Sequence, residues 1–454
     1  MRAFVEALRT GAWLTRERVR LVGFAVLAAS VIGFGWLVAT SDGLNDARGR
    51  PLGTDFANVY AAGSYVLEGR PALPFDSASQ HAREKEIFGA GTPFYGWHYP
   101  PFFLFVAAPL ALMPYALALA VWQGVTFALY LWAIWAILNA AALPSPLWGG
   151  SNRRQAVRGG VLPEQQGPLP AASPPTSPTR GEVTPSLWLL LAAAYPAVFV
   201  NLGHGHNGFL TAALMGAALV LLDRRPWLSG ILFGLLAYKP QFGLMIPLVL
   251  LVTGRWRAVT AAAATVIVLA GAATLAFGVD VWAAFLEGTR FTRAVVLESG
   301  NTGWHKIQSV FAWVRMWGGS VPLGYAVQAA ATLAVAAALA WLWRSRADFA
   351  LKAAALALAA LLATPYSLDY DLMVLAPAIA FLAAHGLAHG FRPYQASALA
   401  ALWLVPLLAR TVAQATLIPL GVPAMLLLFV LLLRHAAVDA GVGAGWLFAR
   451  RALK

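Results

Sequence analysis

Long apolar runs recur along this sequence, and they constrain its possible folds more than any other feature. Residues 21–40, 117–141, 258–277 and 321–343 are clear examples. A helix needs about 20 mostly apolar residues to cross the roughly 30 Å hydrocarbon core of a bilayer. Only 11% of the residues are charged, whereas ordinary soluble domains carry about 25%. We therefore expect an all-α polytopic membrane protein.

Basic residues between the apolar runs predict the orientation of the chain. Residues 1–20 contain five arginines, which the positive-inside rule places in the cytoplasm. We expect about twelve transmembrane helices, at residues 21–40, 117–141, 186–201, 208–222, 227–238, 241–252, 258–277, 321–343, 349–363, 372–388, 394–409 and 416–433. Both termini are then cytoplasmic, in the inner (plasma) membrane of a bacterium. The net charge of +13 reflects basic clusters between crossings, so no nucleic-acid partner is expected.

Composition divides the chain into three parts. Residues 1–142 contain the first crossing, a polar external loop and the second crossing. Residues 143–185 are rich in Pro, Gly and Ser, so we expect a disordered cytoplasmic insertion there. Residues 186–454 hold the remaining crossings and a second external loop at 278–320. Cysteine is absent, which excludes disulfides and thiolate chemistry.

The first external loop has the pattern of a helix. Apolar side chains recur at helical spacing at Phe56, Val59, Tyr60, Gly63 and Leu67. This spacing predicts an amphipathic helix on the membrane surface, with Asp55 at its start. Residues 99–115 are apolar but interrupted by four prolines, so we expect a re-entrant or surface helix rather than a crossing.

Five external pieces of the chain carry the side chains that could perform chemistry. Asp55 suits a general base, but a carboxylate at a helix start is also a good N-cap. Lys239 lies at the tip of a hairpin between two short apolar segments. It could bind a lipid phosphate as a point charge, or snorkel to the membrane interface. His204 and His206 lie in a Gly-rich turn, either lining a substrate cavity or solvated.

The remaining two of these five external pieces add charged side chains. His305 and Lys306 lie in the second external loop and fit either an anionic partner or a surface helix. Asp369 and Asp371 precede a crossing, where they could bind sugar hydroxyls or cap a helix. The tyrosines beside them, Tyr366 and Tyr370, have the spacing of an interfacial aromatic belt. Nothing in these patterns predicts a metal site.

Several motifs in these pieces resemble glycosyltransferase family 87. They are Asp55-Phe56, Tyr99-Pro100-Pro101, the stretch 205–213, the stretch 234–241, Gln308-Ser309-Val310-Phe311 and the stretch 363–372. At His206 the sequence departs from the glutamine that the resemblance leads us to expect. The resemblance implies a GT-C-like fold and a hexosyltransferase that needs no cofactor. It also implies substrate-binding roles for Tyr99 and Asn207.

The same resemblance implies a reaction. A hexose, mannose in the first instance, would move from a polyprenyl-phosphate sugar to a lipid or glycan acceptor on the extracytoplasmic (periplasmic) face. The resemblance assigns Asp55 as the general base of an inverting transfer. A secondary transporter or a flippase for lipid-linked glycans remains the alternative, because broken helices and buried polar residues also describe transporters.

Overall fold

The computed structural model describes residues 1–142 and 185–439. Within these ranges the chain is all-helical and forms no strand. The α-helices are α1 (Arg2–Thr10), α2 (Arg16–Ala39), α3 (Thr54–Leu67), α4 (Ser77–Phe88), α5 (Leu104–Ala111), α6 (Tyr115–Ala142), α7 (Pro185–Ala193), α8 (Pro196–His204), α9 (Gly208–Leu221), α10 (Pro226–Leu235), α11 (Met245–Val252), α12 (Trp256–Phe277), α13 (Asp280–Phe291), α14 (Val310–Met316), α15 (Val321–Arg344), α16 (Phe349–Leu362), α17 (Leu375–His389), α18 (Gln395–Thr416) and α19 (Gly421–Asp439).

Short helical turns connect several of these helices. The 3₁₀ turns are Leu73–Phe75, Pro101–Phe103, Leu236–Tyr238, Pro240–Phe242, Trp304–Lys306 and Asp369–Val374. One π-helix, Thr292–Glu298, directly follows α13. Runs of π-helix are rare and often occur at functional sites.

The polytopic character of the chain is confirmed. In the described ranges, seven helical segments are long and apolar enough to cross a membrane, namely α2, α6, α12, α15, Asp369–His389, α18 and α19. The pair α7 and α8, bent by 48°, makes an eighth if it counts as one span. The other four expected crossings are shorter apolar helices of 10–17 residues, at Gly208–Leu221, Pro226–Tyr238, Pro240–Val252 and Phe349–Leu362. The number twelve is therefore not confirmed, and the orientation of loops and termini stays a prediction.

The apolar helices differ widely in how much of their surface is buried. Of the apolar window of α2 only 6% is buried, and of that of α12 only 17%. By contrast, α16 is buried along almost its whole length, and α9 along most of it. A helix that is apolar all round is stable either inside a large protein or in lipid. Helices α9 and α16 and the segment Asp369–His389, which is 72% buried, therefore lie in the protein core, whereas α2 and α12 present apolar surface suited to lipid.

The helix expected in the first external loop is present as α3, but it is not an exposed surface helix. Eight of its fourteen residues are buried, including Phe56 and Ala57. The neighbouring proline-interrupted stretch forms a short apolar helix over Pro101–Ala111, and its re-entrant or surface position stays a prediction. The expectation of exposure fails because apolar residues occupy most of the circumference of α3, so that the loop around it packs as a small core.

The proposed insertion falls almost wholly outside the described residues. Residues 143–184 and 440–454 are not described, and Pro185 begins α7. The expected disorder of residues 143–185 and their cytoplasmic position stay predictions.

Buried polar contacts join several of the segments that the sequence predicts to be external. The backbone N–H of Gln308 donates to Ser367 O at 2.6 Å, next to a bridge between Ile307 and Leu368. The fully buried Gln308 side chain also accepts from the backbone N–H of Gly421 at 3.0 Å. The second external loop, the turn before Asp369 and the start of α19 are thus held together.

Candidate active site

A contact between two glycines brings Asp55 to the turn between α8 and α9. Gly53 and Gly205 both have left-handed backbones, with φ of 68° and 64°. A Cβ built on Gly205 would lie only 2.6 Å from the Phe56 Cβ and 3.2 Å from the Gly53 Cα. Only glycine allows both the backbone conformation and this close approach. The start of α3 is therefore pressed against the residues that follow His204.

Asp55 is the second residue of α3, and the N-cap position belongs to Gly53. The interpretation of Asp55 as an N-cap is wrong, because the left-handed Gly53 already turns the chain into the helix. A carboxylate in the first turn still interacts favourably with the helix dipole. Among the described residues Asp55 forms no side-chain hydrogen bond, and its nearest cationic partner is His204, with Nδ1 3.7 Å from Oδ2.

His204 is oriented by the residue before Asp55. Its Nδ1 lies 2.7 Å from Thr54 Oγ1, a hydrogen bond whose direction depends on the imidazole tautomer. The side chains of Asp55 and His204 are 26% and 31% exposed. Both are therefore open to a ligand on one side and held by the protein on the other.

Asp55 belongs to a group of charges drawn from separate segments. We call Asp55, His204, Lys306, Asp369 and Arg410 the Asp55 cluster. Burial raises the pKa of Asp55, and the Asp369 charge raises it further, whereas His204, Lys306 and Lys239 oppose the shift. A carboxylate with a raised pKa is a stronger base while still ionised near neutral pH.

Arg410 is the member of this cluster that the sequence analysis missed. Its Nε donates to Asp369 Oδ2 at 2.7 Å, and the Asp369 side chain is 5% exposed. The other oxygen, Oδ1, accepts from the backbone N–H of Tyr370 at 3.0 Å, so Asp369 is held both by an arginine and by the first turn of Asp369–Val374, whose N-cap is Leu368. The expected crossing ended at residue 409, but α18 continues to Thr416 and carries Arg410 into the site. A lone arginine at the end of an apolar run was the available signal.

Lys306 forms no ion pair within residues 1–142 and 185–439, although three charged groups surround it. Burial lowers the pKa of Lys306, the Arg410 guanidinium lowers it further, and Asp369 and Asp55 oppose the shift. Lys306 and His305 lie in the 3₁₀ turn Trp304–Lys306, so the surface helix considered for this stretch is not formed. An unpaired cation beside a carboxylate cluster can receive an anionic ligand.

Lys239 and Asp371 form a buried ion pair. Their side chains are 4% and 1% exposed, and the Lys239 Nζ lies 2.5 Å from Asp371 Oδ1. The other oxygen, Oδ2, accepts from the backbone N–H of Leu368 at 3.0 Å. The interpretation that Lys239 snorkels to the membrane interface is therefore wrong, because its ammonium is buried in the protein and pairs with the Asp371 carboxylate.

A cavity of about 210 Å³ lies next to this pair. Its wall includes Tyr99, His206, Tyr238, Lys239, Tyr366 and Tyr370. Burial raises the pKa of Tyr99, and the Asp55 charge adds to the shift. The start of α3 adjoins the cavity at the turn that carries His206, where Gly205 packs against Phe56 and Gly53. The interpretation of Tyr366 and Tyr370 as membrane-belt residues is wrong, since both line this space.

The cavity wall is largely aromatic, and each of its charged residues is paired with an opposite charge. The hydroxyls of Tyr99, Tyr366 and Tyr370 have no hydrogen-bond partner in the part of the chain that is described. His206 stacks on Tyr370 with ring centroids 3.4 Å apart, and burial lowers the pKa of His206. The charged lining residues Lys239, Asp371 and Arg293 are each paired. Such a wall suits an uncharged ligand with several hydroxyl groups.

Asn207 and Asn201 shape the turn that carries His206. Asn201 is fully buried, and its side chain accepts from Gly208 N at 3.0 Å and donates to Tyr370 O at 3.2 Å. The Asn207 side chain is buried, and neither of its polar atoms has a partner among the described residues. Asn207 does not line the cavity, so its substrate-binding role stays a prediction.

The expected site residues therefore fall into two adjoining groups. Tyr99, His206, Lys239 and Asp371 line the cavity. Asp55, His204, Lys306 and Asp369 belong to the Asp55 cluster, whereas His305 lies at its edge, where Lys306, Arg410 and Asp369 act on its charge. The roles assigned to all of them stay predictions.

A fully buried carboxyl group on α4 interacts electrostatically with Asp55. Glu84 on α4 is fully buried, and burial raises its pKa to about 8, with a further contribution from Asp55. Its Oε2 accepts from the backbone N–H of Tyr95 at 3.0 Å. Gln80, one turn before it, donates to Asn58 O on α3 at 3.0 Å. This network ties α4 to the helix that carries Asp55.

No metal site is evident in the described ranges: they contain no group of three His, Asp or Glu side chains arranged to hold a metal ion. The fixed positive groups that act on Asp55 are Lys306 and Lys239, and Arg410 adjoins them through its bond to Asp369.

Comparison with known proteins gives one match. The family model of glycosyltransferase family 87 matches residues 97–365, more than half of the chain. No curated protein and no solved structure matches the chain. The matched range includes Tyr99, His206, Lys239 and Lys306 but begins after Asp55 and ends before Asp369. The family match therefore says nothing of Asp55 and Asp369, and the roles proposed for them are argued from the geometry of the site.

Proposed function

The chain belongs to glycosyltransferase family 87, and on this premise we propose that it is an inverting membrane hexosyltransferase. Its donor is a polyprenyl-phosphate sugar, with mannose as the first hexose to test, and its acceptor is a lipid or glycan. The observation that carries the proposal is the family match over residues 97–365. The partly exposed Asp55, which has no Lys or Arg partner among the described residues and adjoins an aromatic cavity, supports it.

In the proposed reaction, Asp55 removes the proton from an acceptor hydroxyl. The oxygen of that hydroxyl attacks the anomeric carbon of the donor, and the bond from that carbon to the phosphate oxygen breaks. The sugar is transferred with inversion, and the polyprenyl phosphate leaves with the bonding electron pair. Positioned proton transfer of this kind contributes about 10²–10⁴-fold to a rate. The raised pKa of Asp55 favours it.

The leaving phosphate needs positive charge. Lys306 suits this role because it has no ion-pair partner among the described residues and acts electrostatically on Asp55. Lys239, which the sequence also assigns to the phosphate, has its charge matched by Asp371. We therefore assign the phosphate to Lys306, with His305 beside it. Fixed cations stabilise developing negative charge without reorganisation, so the proposal requires no metal or cofactor.

The sugar ring then occupies the cavity. The unpartnered hydroxyls of Tyr99, Tyr366 and Tyr370 match the hydroxyl groups of a hexose, and His206 contributes a neutral imidazole. Lys239 and Asp371 form the polar floor of this space. The cavity of about 210 Å³ is smaller than the roughly 300–1,000 Å³ of pockets for drug-sized ligands, so it suits one monosaccharide rather than a long glycan.

The proposed setting is the periplasmic face of a bacterial inner membrane. The cationic segment 1–20 supports a cytoplasmic N-terminus, and Asp55 follows the first span α2 on the opposite side. The proposed partners are the lipid-borne donor, the acceptor and the surrounding membrane lipids. No nucleic acid takes part.

Reconstituted protein incubated with a panel of polyprenyl-phosphate sugars and candidate acceptors tests this function. Mass spectrometry is expected to detect an acceptor heavier by one hexose, together with free polyprenyl phosphate. Movement of the intact donor across the bilayer with no new glycosidic bond would instead support the transporter or flippase alternative. Asp55→Asn protein serves as the control for adventitious transfer.

A further inference from the structure

The N-terminal helix α1 presents an apolar face away from the protein. None of its residues is buried. Met1 is fully exposed, Phe4 is 68% exposed and Val5 is 45% exposed. Because residues three and four apart share a helix face, these side chains form one continuous apolar stripe.

Arginines flank this stripe. Arg2 and Arg9 lie seven residues apart, two turns along the same side of α1. Residues 16–20 add three more arginines, whereas the first twenty residues contain only two acids, Glu6 and Glu17. An apolar stripe bordered by arginines is typical of helices that lie in the interfacial plane of a membrane.

The orientation of α1 is set by contacts with α18. The backbone N–H of Tyr394 donates to Arg9 O at 2.7 Å. Ser397 Oγ donates to Leu8 O at 2.8 Å and receives the Trp13 Nε1–H at 2.7 Å. These bonds hold the polar C-terminal end of α1 and leave its apolar stripe uncovered by any described residue.

The position of α1 coincides with the end of the membrane-spanning bundle. Two candidate spans begin beside it, α2 at Arg16 and α18 at Gln395. The 24 residues of α2 extend about 36 Å at 1.5 Å per residue, slightly more than the hydrocarbon thickness. Its first turn, and with it α1, therefore lies at the level of the lipid headgroups.

We propose that α1 docks on the bilayer surface and binds anionic phospholipid. Phe4, Val5 and Met1 enter the boundary between headgroups and acyl chains. Arg2 and Arg9 contact the phosphates, with the arginines at the start of α2 next to them. This surface lies at the opposite end of α2 from Asp55, so the proposal is independent of the proposed reaction.

The absence of cysteine makes a direct test possible on the full chain. Spin labels at Phe4→Cys and Val5→Cys report the apolar stripe, and a label at Thr10→Cys on the other side of α1 is the matched control. The protein is reconstituted in vesicles of phosphatidylcholine with or without phosphatidylglycerol. Collision rates with oxygen and with a water-soluble nickel chelate measure depth.

The labels at positions 4 and 5 are expected to collide with nickel at least about threefold less often than the control, because interfacial helices bury their apolar face ~5–10 Å deep. Phosphatidylglycerol should increase this difference, and the Arg2→Gln/Arg9→Gln variant should remove the increase. Equal nickel collision rates at positions 4, 5 and 10 would overturn the proposal. Shielding from both oxygen and nickel would also overturn it, since a protein partner would then cover the stripe.

Discussion

The cavity wall and the Asp55 cluster lie side by side, but their charged side chains differ in burial and in ion pairing. In the cavity wall, Lys239 and Asp371 are almost wholly buried and neutralise each other. In the cluster, Asp55 and Lys306 are partly exposed, and neither forms an ion pair with Lys, Arg, Asp or Glu in the described ranges. Buried pairs hold geometry, because separating them leaves a charge that nothing solvates. Unpaired groups open to a ligand are available for chemistry.

The largest effect on stability should come from breaking the buried pair. Lys239→Met leaves the Asp371 carboxylate buried without its cation, and removal of one partner of a buried pair costs about 3–5 kcal/mol. We expect a strong loss of folded protein in detergent, measured by thermal unfolding. Adding Asp371→Leu should recover much of the stability, since no charge is then left alone.

Removing an exposed pair provides the matched control. Arg290→Gln breaks a pair with Glu287 whose partners are both more than 70% exposed, and such pairs contribute about 0–1 kcal/mol. If Lys239→Met and Arg290→Gln destabilise the protein equally, the contrast between buried and exposed charge fails.

The next largest effect should be on transfer rate through Lys306. Lys306→Gln removes the unpaired cation that we assign to the leaving phosphate. Loss of one group that stabilises developing charge costs about 10²–10³-fold in turnover. Folding should be little affected, because Lys306 holds no partner in the described structure. Lys85→Gln, at an exposed position on α4, is the control, and equal turnover of the two variants would contradict the assignment.

A smaller effect is expected from the cavity hydroxyls. Tyr366→Phe removes one phenol hydroxyl from the wall and leaves the ring. Loss of one hydrogen bond is worth about 0.5–1.5 kcal/mol, so KM for the donor should rise by roughly fivefold with kcat little changed. Tyr325→Phe is the control, because the Tyr325 hydroxyl bonds to Glu298 and does not line the cavity. An unchanged KM in Tyr366→Phe would contradict the proposal that the sugar binds against this side of the cavity.

The last expected effect is on the pH dependence of stability, and it comes from Glu84→Gln. Burial raises the pKa of Glu84 from 4.5 to about 8, so the folded protein binds a proton there that the unfolded chain has lost. This contribution to stability is complete below pH 4.5 and is lost as pH rises towards about 8. Wild-type protein should therefore lose stability between these pH values relative to Glu84→Gln.

Glu86→Gln is the matched control for this pH dependence. Glu86 lies on the same helix, is 70% exposed and pairs with Arg83. Its replacement should leave the pH slope of the melting temperature as in wild type. A slope that Glu84→Gln does not reduce would show that Glu84 is ionised in the folded protein at neutral pH.

The sequence predicts the membrane class and the main elements well, because apolar length is a local property. Long apolar runs in the sequence correctly predict α2, α12 and α15. The prolines within residues 99–115 correctly predict a short helix there. The twelve crossings are not recovered in full, since α9 and α16 are apolar but short. Composition cannot distinguish a helix buried in protein from one that crosses lipid.

The site was only partly predictable, for a related reason. The residues Asp55, His206, Lys239 and Asp371 were singled out because each is a polar residue beside an apolar run. Their pairing was not foreseen, because the bond between Lys239 and Asp371 joins positions 132 residues apart. Arg410 was missed because the end of α18 was placed too early. Glu84 looks like an ordinary charged residue of α4 until its burial is known.

The central claim, that Asp55 performs chemistry rather than binding, has one direct test. Asp55→Asn and the control Asp42→Asn, an exposed acid of the same loop, are reconstituted and measured for donor binding and for single-turnover transfer. We predict that Asp55→Asn binds polyprenyl-phosphate sugar within about threefold of wild type, well under the 1.4 kcal/mol of a tenfold change. Transfer should fall by about 10²–10⁴-fold, with Asp42→Asn unchanged in both. Near-normal transfer by correctly inserted Asp55→Asn protein would contradict the account.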